Sequence, residues 1–354
     1  LTETAPLAAS HTVDTVYFGG GTPSYLGEKR LCKILKVIEK RYQVARDAEI
    51  TLEANPDSAG DWKALRALRR CGFNRISLGM QSACDEELRT IGRVHTMEQV
   101  QQAVEAARKA KIQNLSLDLI YGLPHQTQER WMENLAAAVA LNPEHLSCYG
   151  LKVEEGTPLF AMKDTADLPG DEEQADMYLQ TVEFLKQYGY VQYEISNFAK
   201  PGFEAVHNSA YWRRAPYIGL GPGAHSLTGN VRSWNSQELP HRQQDETSSC
   251  NPDRISSCNP DSTSCQTSSR NPSGKLATYS RNFETLSPED IRVERIMLSL
   301  RTDKGLKATE LYSLTDSTVV DALLSEGALE RQGASIRIPE DHLFTSDEIV
   351  RELI

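Results

Sequence analysis

The 354-residue chain has no run approaching the roughly 20 apolar residues of a membrane helix, so no helical span is expected. Its opening residues lack the basic and apolar regions of a secretory leader. Positive charge is also short. A net charge of −11 leaves no general basic face, which argues against a nucleic-acid binder or a binder of anionic membranes. The seven cysteines form no paired framework. Cys32, Cys71, Cys84 and Cys148 fall singly within apparent helices or strands, which fits a reducing cytoplasm. Methionine is absent from position 1, where Leu1 stands, and a missing natural amino end is the expectation drawn from it.

What is present is organised around VYFGGGTPSY, Val16 to Tyr25. Strand formers run into three glycines, and glycines at a strand's carboxyl end let the backbone come close to a ligand or simply make a turn. Regular alternation follows. Strands are predicted at Thr15–Phe18, Glu49–Glu53, Arg75–Leu78, Leu115–Ile120 and His145–Tyr149. Helices are predicted at Gly27–Arg41, Asp61–Arg70, Thr96–Ala110, Thr127–Ala140 and Asp171–Tyr188. Alternating elements with short connections imply a parallel sheet of βαβ units. Polar or glycine signals close nearly every strand, which suits a barrel rim better than the single switch point of a doubly wound sheet. The expected fold is therefore α/β with an incomplete barrel.

Four regions follow. Residues 1–200 form the barrel, and 201–240 form a loop-rich segment with His, Asn and large aromatics. Residues 241–282 repeat SSCNPD and have almost no apolar residues, so a disordered insertion is expected there. Its three cysteines lack metal-finger spacing. In residues 283–354, Ser287 caps a helix, Pro288 occupies its first turn and Asp290 its third position. Helices, a short strand at Ser335–Ile338 and a final helix read as a small winged-helix-like domain. Its acidic surface favours packing or a lid over DNA binding.

Several rim residues have two readings. Glu53 is a ligand contact or a cap. Gln81 can donate and accept. Arg93 can pair with a carboxylate in a two-pronged manner. Asp118 sits in the apolar strand SLDLI, where an acid is costly unless it faces the barrel mouth or a donor. Acids and an amide for an amino group and ribose hydroxyls, an arginine for a carboxylate and bare glycine backbone together describe S-adenosylmethionine.

The strings VYFGGGTPSYL, TLEANPDS, RISLGMQS, GRVHT, LDLIYGLPHQT, YEISNFAKPG and HNSAYWRRAPYIGLGPGAHS resemble the radical S-adenosylmethionine proteins of the oxygen-independent coproporphyrinogen oxidase family, in their haem-chaperone branch HemW. The likeness runs in order through nearly the whole chain except 241–282. It implies a partial (β/α)6 TIM-type barrel with a winged-helix-like carboxyl-terminal domain, S-adenosylmethionine, a [4Fe–4S] cluster and haem. It implies cofactor contacts at Gly20, Gly21, Thr22, Glu53, Gln81, Arg93, Asp118, Tyr149 and Gly150. In HNSAYW it implies haem contacts at His207, Tyr211 and Trp212, with His207 as the candidate iron ligand. The alternative is that His207 hydrogen-bonds within a loop and Trp212 belongs to the core. Arg213 and Arg214 are candidates for haem propionates, and His225 reads as structural. The implied activity is haem binding and delivery to an acceptor protein, membrane-associated acceptors included, without nucleic acid and in the cytoplasm. The alternative is an oxygen-independent coproporphyrinogen III oxidase of porphyrin biosynthesis. The family's CxxxCxxC cluster motif occurs nowhere in this chain. Whether the chain acts as an enzyme is therefore left open.

Overall fold

The parallel strands put alternate residues on opposite faces, and the two faces differ sharply in chemistry. A computed structural model describes residues 11–161, 167–237, 265–270 and 276–354. Five parallel strands come first: β1 (Thr12–Phe18), β2 (Gln43–Ala54), β3 (Arg75–Gln81), β4 (Asn114–Tyr121) and β5 (His145–Gly150). Two short strands, β6 (Val191–Gln192) and β7 (Asn197–Ala199), complete a seven-stranded sheet in the order β1-β2-β3-β4-β5-β7-β6. The parallel strands lie side by side in chain order, so the sheet has no switch point. The last two strands join antiparallel.

One face of the sheet is apolar. Ile76, Leu78 and Met80 of β3 and Leu115, Leu117 and Leu119 of β4 are buried in the main core. They pack beneath α1 (Glu28–Arg41), α2 (Trp62–Cys71), α4 (Met97–Lys109), α5 (Gln128–Ala140) and α7 (Asp171–Gln187). Two shorter helices, α3 (Asp85–Thr90) and α6 (Pro158–Ala161), lie in the connections. The other face carries Tyr17, Glu49, Glu53, Ser77, Ser116, Asp118, His145 and Ser147 at alternate positions. Side-chain bonds from Tyr17 to Glu53, from Ser77 to Asp118 and between Ser116 and His145 place this polar face on the concave side.

The loop-rich segment is more structured than its composition predicts. It holds α8 (Val206–Trp212) and a hairpin of β8 (His225–Thr228) and β9 (Val231–Asn235). Strands β10 (Cys265–Arg270) and β11 (Leu276–Thr285) pair antiparallel, and β11 also pairs with β9. The insertion expected over 241–282 includes β10 and the first part of β11. β10 finds its backbone partners in β11, and β11 pairs with β9 over Arg281–Thr285. Residues 241–264 and 271–275 of that expectation lie outside the described residues, Cys250 and Cys258 among them.

The chain then forms α9 (Pro288–Ser299), β12 (Leu306–Lys307), α10 (Ala308–Leu314), α11 (Ser317–Glu326), β13 (Glu330–Gln332), β14 (Ser335–Arg337) and α12 (Ser346–Leu353). As the sequence predicts, Ser287 accepts the Asp290 N–H and Asp290 accepts the Ser287 N–H. Ile296, Leu300, Leu311 and Ile336 belong to the same continuous core as the barrel residues.

Candidate functional site

The strand registers gather the predicted rim residues. Glu53 lies opposite Ser77, Gly79 opposite Asp118, and Asp118 opposite Ser147. Glu53 on β2 and Asp118 on β4 therefore stand on either side of β3 on the concave face. Gln81 follows an irregularity in β3, where its backbone takes φ +64° and its side chain is almost wholly buried. A non-glycine residue in this conformation is costly and tends to mark a functional constraint. A side-chain carbon at Gly79 would lie 2.7 Å from the Gln81 amide nitrogen, so glycine gives that side chain its place.

The glycine turn after β1 is built against Glu53. The Gly20 N–H donates to Glu53 Oε2 at 3.1 Å, and the Tyr17 hydroxyl donates to Oε1 at 2.5 Å. A Cβ at Gly19 would fall 2.5 Å from the Tyr17 ring and 2.7 Å from the Glu53 carboxylate. Gly20 and Gly21 have φ of +79° and +124°, which glycine adopts without strain. Burial pushes the Glu53 carboxyl above its usual range despite its donors from Tyr17 and Gly20. The Thr22 hydroxyl accepts the Asn55 amide at 3.1 Å, holding the turn to the end of β2.

Asp118 accepts Ser77 Oγ at 2.9 Å and Ser116 Oγ at 3.3 Å. Burial raises its carboxyl, while Ser147, Ser77, the Arg75 charge and Ser116 oppose the shift. Arg93, half-buried in the loop before α4, forms no ion pair among the described residues. Tyr149 is partly exposed at the end of β5, and Gly150 lies against the Tyr121 ring, where a Cβ would meet the hydroxyl at 3.1 Å. A cavity of about 390 Å³ lies beside the turn after β4, lined by His125, Gln126, Asp167 and Glu173, and none of the rim residues line it.

The second predicted cluster lies on the same concave side. Glu49 of β2 accepts the N–H groups of Val206 and His207 at 3.0 Å each, so a carboxylate caps the start of α8. His207 Nδ1 is 2.7 Å from Thr15 Oγ1, and Nε2 is 2.9 Å from the Tyr211 hydroxyl. Its ring stacks on Tyr17 with centroids 4.8 Å apart and planes 9° apart. Burial lowers the basicity of the imidazole, Glu49 opposes this and Arg75 adds to it. Tyr211 meets Tyr217 edge-on at 4.8 Å. Trp212 is half-buried and takes no part in this ring cluster. His225 stacks on Trp234 instead.

Arg214 is engaged elsewhere. It pairs with Glu294 at 2.6 Å, and Arg232 pairs with the same carboxylate. This ion pair fixes the turn after α8 to α9, and one guanidinium nitrogen of Arg214 keeps no hydrogen-bond partner.

Sequence reasoning missed Thr15, Tyr17, Glu49 and Arg75. Their signal was the period of two: Thr15 and Tyr17 alternate in β1, and Glu49, Thr51 and Glu53 alternate in β2. Arg75 is only 3 % exposed on the concave side, and its Nε lacks a hydrogen-bond partner.

The residues fit the amino-acid and ribose parts of S-adenosylmethionine, offering two acids, an arginine without an ion pair among the described residues and open glycine backbone. They do not fit an iron–sulfur cluster. Among the described residues no group of three or more His, Cys, Asp or Glu is placed to hold a metal ion, and no helix is long and apolar enough to cross a membrane.

The Radical SAM superfamily profile matches residues 2–138. The protein of Mycobacterium tuberculosis H37Rv named "Heme chaperone HemW" is 32 % identical over 346 residues, covering 97 % of this chain and 81 % of that protein. The Bacillus subtilis protein of the same name is 40 % identical over 230 residues, covering 64 % of this chain and 60 % of its own length. Among solved structures, Escherichia coli coproporphyrinogen III oxidase, HemN, described as a radical SAM enzyme, aligns over 99 % of this chain and 80 % of its own, with TM-score 0.74 and 24 % identity. That likeness is one of fold.

Proposed function

This chain belongs to the HemW family of radical SAM proteins, and from that premise we propose that it binds haem and passes it to an acceptor protein. The observation that carries the proposal is the cluster at the start of α8. There an imidazole of lowered basicity lies between two tyrosine rings at the edge of the polar concave face. A neutral imidazole is a common axial ligand, and aromatic rings give a porphyrin apolar contact. Because Nδ1 is close to Thr15, Nε2 is the atom suited to iron, after the Tyr211 hydroxyl gives way.

The rim is proposed to hold S-adenosylmethionine. Gly20, Gly21, Thr22 and Glu53 would receive the amino group, Arg93 the carboxylate, and Gln81 and Asp118 the ribose hydroxyls, with Tyr149 and Gly150 at the edge. The family implies a [4Fe–4S] cluster, which supplies electrons to the cofactor. Cysteines with the family's spacing do not occur in this chain, so no step is derived through the cluster.

Titration of full-length protein with haem tests the reading. A Soret shift is expected in the wild type, and His207→Ala should weaken binding by about tenfold or more, equivalent to about 1.4 kcal/mol. No shift in the wild type would overturn it. The alternative, oxygen-independent coproporphyrinogen III oxidation, shares the HemN fold. Decarboxylated porphyrin from an anaerobic assay would favour it.

A further inference from the structure

The two proposed sites share one side chain. Tyr17 lies in β1, two residues before the glycine turn, with its hydroxyl on Glu53 and its ring on His207. The same ring therefore touches the acid proposed for the cofactor's amino group and the imidazole proposed for haem iron. Glu53 is filled from both sides, by Tyr17 on Oε1 and Gly20 on Oε2. His207 is likewise held on both nitrogens, by Thr15 and Tyr211. In this arrangement neither group is free for its ligand. Tyr17 is nevertheless 38 % exposed.

We propose that Tyr17 is a positioning residue that couples cofactor binding at Glu53 to haem binding at His207. An ammonium group arriving at Glu53 is a charged donor and forms a stronger bond to the carboxylate than a neutral hydroxyl does. It displaces the Tyr17 hydroxyl from Oε1. The ring, no longer tethered, slides off His207, and the imidazole can turn its Nε2 from Tyr211 towards iron. The tethered and released positions of Tyr17 are the two states that both ligands bias. Linkage then requires each ligand to tighten the other by the same factor. The inference rests on the haem and S-adenosylmethionine reading above and adds the connection between the two.

The test is haem affinity, read from the Soret band of this chain under anaerobic conditions. S-adenosylmethionine is expected to tighten haem binding by about fivefold or more in the wild type, the lower end of usual coupling. The analogue 5′-methylthioadenosine, which lacks the ammonium group, is expected to leave it unchanged. Tyr17→Phe keeps the ring but loses the tether. It should bind haem at the tighter level without cofactor and gain nothing when S-adenosylmethionine is added. A Tyr17→Phe protein that retains the wild-type response overturns the coupling. Wild-type haem binding indifferent to S-adenosylmethionine does so too, leaving the chaperone reading intact and needing no variant. Absence of haem binding in the wild type sinks both.

Discussion

At Asp118, burial and hydrogen bonding pull in opposite directions. Burial raises the carboxyl, and the nearby serines and Arg75 offset only part of the rise. A carboxyl raised in the folded state favours folding while protonated. That contribution is fully present below the unfolded value of 3.8 and is lost as pH rises through the higher folded value. Asp118→Asn removes the ionisation. The ligand-free variant should therefore unfold at a higher urea concentration than the wild type at pH 7, with the gap narrowing towards pH 4. Equal midpoints at pH 7 would show that Asp118 carries no such strain. Asp118 stood out in the sequence as an acid inside an apolar strand. Tyr17 did not, because a tyrosine before a glycine turn is ordinary until its two partners, 36 and 190 residues away, are in place.

At the level of elements, the legible features were local ones. Thr96 caps α4 with a reciprocal bond, its hydroxyl taking the Gln99 N–H while the Gln99 side chain takes the Thr96 N–H. Thr96→Ala should cost about 1 kcal/mol, measured by equilibrium denaturation. No loss would mean that tertiary packing alone holds the helix start. The sequence also located α1 from its apolar face, and α2, α5 and α7. It missed α3, whose six residues are too few to show a helical period. Glu87 there is buried because Ser82, Gln126 and Asn134 donate to it from other elements. Likewise, α8 has no buried stripe and owes its start to Glu49, 157 residues away from Val206.

For the whole molecule, the barrel and the carboxyl-terminal segment share one apolar core. The Asp303 N–H donates to the Tyr193 carbonyl, Glu194 pairs by a β-bridge with Thr302, and Tyr178 meets Phe344. Leu300 is fully buried in that core. Leu300→Ala should cost about 2–5 kcal/mol and lower the midpoint of a single calorimetric transition. Two separated transitions, with only the smaller one moved, would show that the segments unfold independently. The alternation of strands and helices, the rim acids, the glycine turn and the caps were determined by the sequence alone, because each depends on residues within a few positions of one another. Only the tertiary structure decided that β11 pairs with β9, that Arg214 pairs with Glu294, and that Tyr17 stands between Glu53 and His207. Those contacts join residues far apart in the chain, and sheet register and helix packing, which no local pattern encodes, bring them together.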